Sequence, residues 1–135
     1  MTDSAARTSN GSARRGGARQ SAARLAAVQA LYQMDHSGVP PSIVLEEFLR
    51  YRLGESFDTE KDVAPDKSLF TQLVRGVTGR SAEFDEMIVA ALTEKWTLDR
   101  LEIILRAILR AGVYELDARD KTPARVIITE YVDVA

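Results

Sequence analysis

The chain has no cysteine, a single histidine, a single tryptophan and four prolines. Without cysteine there can be no disulfide, no thiol catalysis and no cysteine-ligated metal. The lone histidine, His36, stands beside Asp35 with no serine or second base placed to form a triad, which argues against acid-base or nucleophilic catalysis. No Glu-x-x-His pair is present for a carboxylate-bridged metal bundle. The segment GARQSAAR has neither the Walker nor the dinucleotide glycine spacing. Wholly apolar runs are only a few residues long, so neither a signal peptide nor a membrane span is expected. These absences describe a soluble, cytoplasmic, non-enzymatic chain that needs no cofactor and no metal.

Charge is present but unevenly placed. Arg7, Arg14, Arg15, Arg19 and Arg24 stand against Asp3 alone in the first 24 residues, a balance of +4. Since the whole chain carries −2, the other 111 residues carry −6. A basic arm on an acidic body suits an arm that meets a polyanion while the body does something else. Residues 1–19 are Ser, Gly, Ala, Asn and Arg with no large aliphatic after Met1, too little apolar surface to offset chain entropy, and are expected to be disordered when free.

Residues 20–135 read as one all-α domain of about six helices. The first helix, Gln20 to Ser37, has Leu25, Val28, Leu31 and Tyr32 at helical spacing and ends at Gly38 and the Pro40–Pro41 pair. A second spans Ser42 to Leu53, with Ile43, Val44, Phe48, Tyr51 and Leu53 as its buried face. The acidic stretch around Asp58, Glu60 and Asp62 is a solvated loop, since Val63 and Leu69 occupy positions where a calcium loop needs Gly and a bidentate acid. Asp66 caps a third helix, Lys67 to Thr78, and Ser81 a fourth that buries Phe84, Met87, Ile88, Ala91 and Leu92. Adjacent acids such as Glu46–Glu47 and Asp85–Glu86 diverge by 100° around a helix and read as solvated faces. Trp96 and Phe70 read as core.

The organising element is TLDRLEIILRAILRAGVYELD, Thr97 to Asp117. Asp99, Glu102, Arg106, Arg110 and Asp117 fall in one stripe roughly 80° wide, and only Arg100 and Glu115 lie off it. A helix apolar around most of its circumference must be wrapped by others, so this is the long central helix. Thr122 and Pro123 signal a last helix whose apolar residues, Val126, Ile127, Ile128, Tyr131, Val132 and Val134, run to the chain end without a cap. A domain of this kind ordinarily continues, and the last helix of the bundle is expected to be missing.

Three blocks, RLAAVQALYQMD (Arg24 to Asp35), RAILRAGVYEL (Arg106 to Leu116) and TPARVIITEYVDVA (Thr122 to Ala135), together resemble the NusB family of bacterial transcription antitermination factors. The resemblance implies a helical fold of two small bundles around a long central helix. It also implies binding to the boxA element of ribosomal RNA leaders with the ribosomal protein that acts as NusE, within the RNA polymerase antitermination complex. The family's RNA contacts begin in an Arg-rich entry to the first helix, matched here by Arg24 and Arg19, with Arg14 and Arg15 supplying charge from the arm. Its aromatic near the end of that helix matches Tyr32, on the partner side. This chain departs from the family pattern at Gln20 to Ala23, where several arginines are usual, and at Leu105, Thr129 and Tyr131. It also lacks the Phe-Val-Asn-Gly-like ending. Two alternatives stand beside the RNA factor: a homodimeric or partner-docking interaction module, and a detached RNA-binding domain of a ribosomal RNA cytosine methyltransferase.

Overall fold

Helix α1 is the longest element, Thr2–Ser37, and no proline interrupts it. The computed structural model describes residues 2–53, 64–93, 95–118 and 122–135, with only the backbone for 2–16. The acidic loop at 54–63 and the side chains of the arm through position 16 lie outside the described residues. The remaining helices are α2 (Pro41–Glu47), α3 (Lys67–Gly79), α4 (Ser81–Ala91), α5 (Ile103–Ala118) and α6 (Ala124–Val134). The six helices confirm the all-α reading, and no strand occurs among the described residues.

The turn from α1 to α2 follows the sequence closely. Gly38 takes φ +73°, where a side chain would be strained, and its N–H donates to the Met34 carbonyl. Pro41 opens α2, one residue earlier than its spacing predicts. Beyond Glu47 the helix widens into a turn of i→i+5 bonds over Phe48–Arg52, closed by Leu53 N–H to the Phe48 carbonyl. That widening rotates the face from Phe48 onward, which reaches Tyr51 but not Ile43. Val44, Leu45, Phe48 and Leu53 are buried, while Ile43 and Tyr51, expected inside, are exposed.

Helix α3 starts where its cap predicts, with the Asp66 carboxylate accepting from the Leu69 N–H at 3.0 Å. It buries Phe70, Leu73, Val74 and Val77. In α4 the expected cap is corrected. Ser81 lies inside the helix, and Arg80 at the cap position instead pairs with Glu83 and Asp117, its guanidinium 4.6 Å from the Phe84 ring centre. Phe84 and Ile88 are buried, and Met87 is exposed.

The central helix is shorter than its pattern predicts. Leu98–Arg100 form a separate tight turn, the chain extends at Leu101, and α5 begins at Ile103. The Arg106 guanidinium reaches back to the Leu101 carbonyl at 3.1 Å, giving the broken end a partner that a continuous helix would have supplied from its backbone. From Ile103 on, the polar stripe behaves as a rail of ion pairs. Arg110 donates to both oxygens of Asp85 at 2.7 and 3.0 Å and reaches Asp35, tying α5 to α4 and to the end of α1. Asp85 is therefore a partner of the core helix and not part of a solvated face. Trp96, expected inside, is exposed.

Small residues let the helices close on one another. Ala23, Ala26, Ala27 and Ala30 form a buried seam on α1. Gly76 of α3 and Gly112 of α5 leave room for the rings of Tyr114 and Tyr131. On the open side of α5, Leu105, Leu109, Val113, Ile128 and Val132 line an apolar groove of about 280 Å³ against α6.

Candidate nucleic-acid interface

The first helix enters the domain at Ser21, and one turn later Arg24 turns inward. Arg24 is 1 % exposed. Its Nε and Nη2 donate to Glu115 Oε1 and Oε2 at 2.9 and 2.7 Å, a bidentate pair, and its Nη1 donates to Glu130 Oε1 at 3.0 Å. The Tyr131 hydroxyl donates to Glu115 Oε1 at 2.9 Å. Ser21 Oγ lies 2.7 and 2.9 Å from the two oxygens of Glu130, so its one proton is shared with that carboxylate. One arginine on α1 thus gathers acids from α5 and α6.

Burial opposes the charge on Arg24, but the hydrogen bonds and charge of Glu115, with the charge of Glu130, outweigh it and hold the guanidinium above its ordinary pKa. Burial, then the Glu115 carboxylate, pushes the Tyr131 hydroxyl well above its ordinary value, so it remains a neutral donor. Every buried side-chain nitrogen and oxygen among the described residues has a partner. A satisfied network of this kind fixes the direction in which α1 leaves the domain.

Arg24 was the residue matched to RNA contact, and the structure buries its guanidinium against Glu115 and Glu130. The reason is Glu115. It lies off the polar stripe of the central helix, and a charge on an otherwise apolar face requires a buried counter-charge. That was the sequence signal for the node, and Arg24 was its answer. Ser21, Glu130 and Tyr131 carry no comparable signal, because each fits a helix surface by composition.

Arg19 remains exposed at the point where α1 meets the segment before α3. Its Nε donates to the Ala64 carbonyl at 3.3 Å, and its own carbonyl accepts from the Asp66 N–H at 3.1 Å. Arg14 and Arg15 continue the same helix toward the N-terminus, and their side chains lie outside the described residues. Tyr32 is 37 % exposed and stacks on His36, ring centres 5.6 Å apart and 8° from parallel. Leu25 shares this outer face. Of the first helix's expected apolar set, Val28 and Leu31 are buried and Leu25 and Tyr32 are outside. Arg24 and Tyr32 do not share a face, since eight residues turn a helix 80° past two turns.

Among the described residues no three histidine or acidic side chains converge as metal ligands, and no helix is long and apolar enough to cross a membrane. The arrangement is a helical bundle whose arginine-bearing first helix is fastened by Arg24 to acids of α5 and α6. Residues 21–135 match the NusB family model, and the chain belongs to that family. Among curated relatives, the transcription antitermination protein NusB of Bradyrhizobium sp. (strain ORS 278) is 46 % identical over 117 residues, covering 87 % of this chain and 70 % of its own. That of Maricaulis maris is 47 % identical over 114 residues, 84 % of this chain and 71 % of its own. That of Brucella ovis is 50 % identical over 113 residues, 84 % and 66 %.

Proposed function

We propose that this chain is a transcription antitermination factor, a binding protein and not an enzyme. In this reading it takes boxA-type single-stranded RNA together with the ribosomal protein acting as NusE, in the cytoplasm, as part of the RNA polymerase antitermination complex. The observation that carries the proposal is the helix running from the Arg14–Arg15–Arg19 stretch straight into the clamped Arg24, which aims a basic segment from a rigid base. Arginine forks bind phosphate bidentately and keep their charge. The Tyr32–His36 stack offers a flat aromatic face for the protein partner. The relatives are named for antitermination and not for methyl transfer, which favours the factor over the detached methyltransferase domain.

The division of labour differs from the sequence expectation in one respect. RNA contact rests on Arg14, Arg15 and Arg19, and Arg24 acts by holding the helix. Titrating boxA-type and scrambled RNA across salt, with and without the ribosomal partner, tests this. Changing Arg14, Arg15 and Arg19 to Ala lowers affinity and reduces the salt slope by about 0.7 for each phosphate that is no longer neutralised. Equal weak binding to both RNAs, with no gain from the partner, overturns the proposal.

The groove between α5 and α6 favours self-association beside RNA binding. Ile128 and Val132 are 54 % and 66 % exposed on its rim, and a second copy bringing the same ridge would bury both. Sedimentation of the intact chain should show a dimer that Val132→Glu converts to monomer, with less dye binding to apolar surface in the dimer. A monomer at all concentrations rules this out.

A further inference from the structure

A polar recess of about 230 Å³ opens at the root of the arm, between α1, the start of α3 and the end of α5. It is smaller than the roughly 300–1,000 Å³ of a drug-sized site, so it suits one ring system. Its floor is the Arg24–Glu115 pair, which is closed on itself. Its walls carry Gln20, Ser68, Gln72, Tyr114 and Thr122, whose side chains have no hydrogen-bond partner in the protein among the described residues. Free donors and acceptors around a concave site are what a ligand with its own donors and acceptors requires.

The sign of the site narrows the ligand. Asp66 is on the rim, with Oδ1 committed to the Leu69 N–H and its second oxygen without a partner among the described residues. Glu115 lies below, and Arg24, the one cation among the described lining residues, faces two carboxylates. A phosphate entering here would meet like charge. A neutral group that donates N–H would meet acceptors, and the Gln20 and Gln72 amides can read either edge of it. Gln20 directly follows Arg19, so a backbone phosphate on Arg19 leaves its base beside the recess.

Resting on the RNA reading above, we propose that this recess takes one base of the bound RNA, a base bearing an exocyclic amino group, while the phosphates stay on the arm. Unpaired bases are read in this way, splayed from the strand and hydrogen-bonded along their edges.

The test uses the full chain, a short boxA-type RNA, and a set of the same RNA in which one base at a time is replaced by an abasic ribose. Affinity is read by fluorescence anisotropy. One abasic position, where the missing base carries an amino group, should weaken wild-type binding about tenfold. Gln72→Ala should weaken the intact RNA by a similar factor and leave that one abasic RNA almost unchanged, the non-additivity that marks a direct contact. Thr122→Val serves as a second wall variant with the same expectation. If Gln72→Ala and Thr122→Val lower affinity by the same factor for every RNA, or not at all, the recess holds no base while the arm's RNA role stands. If no RNA binds at any salt, the RNA reading and this one fall together.

Discussion

Replacing Glu115 by Ala should lower stability by about 3–5 kcal/mol, because it leaves the Arg24 guanidinium buried with only Glu130 as a charged partner. The Tyr131 hydroxyl loses its acceptor in the same step. Equilibrium urea unfolding followed by circular dichroism measures this directly. The paired variant Arg24→Met with Glu115→Leu should recover most of the loss, since apolar residues of similar size replace a charge pair whose desolvation offsets much of its attraction. Glu115→Ala within about 1 kcal/mol of wild type would show that the pair is not held as described. The same pair of variants separates the roles assigned to Arg24. If it is an anchor, the double variant keeps the salt slope of RNA binding. If it contacts phosphate, the slope falls.

A second large effect is expected at Gly76. A Cβ built there runs into the ring of Tyr114, where α3 packs against α5. Gly76→Ala improves the intrinsic helix propensity, yet it should destabilise by about 1–3 kcal/mol because the ring cannot move without disturbing Phe84, 5.8 Å away and edge-on. Thermal melts of Gly76→Ala, Tyr114→Leu and the double variant resolve the origin of the effect. The double variant should be less destabilised than the two single variants added together. A Gly76→Ala melt at or above wild type would mean the close approach relaxes freely.

The helix inventory is legible in the sequence because each helix carries its own punctuation. Gly38, Pro41 and Asp66 act locally, and all three sit where their chemistry demands. Faces are less legible, because burial depends on how many neighbours a helix has. Tyr51 fits an apolar stripe on paper, but the widened turn after Glu47 rotates it outward, whereas Ile43 stands ahead of that turn and is exposed on α2 itself. The break at Leu101 is hidden for a different reason. A periodic pattern continues through Leu101 unaltered, and what permits the break is a side-chain hydrogen bond from Arg106. At the candidate site, Arg19 and Tyr32 lie on the surface and Arg24 is buried. A run of arginines does not reveal which member meets an acid inside until the off-stripe Glu115 is paired with it.

Helix α1 is fastened near both limits of its packed stretch, by Ser21 and Arg24 at one end and by Asp35 to Arg110 at the other, with the alanine seam between. Local fraying of this stretch would have to break two charged clamps and the seam at once, so it opens together with the whole domain. In the proposed reading, a partner settling on Tyr32 and His36 meets a surface whose entropy was already given up when the chain folded. Its affinity is diminished only by its own ordering and by the water it must displace.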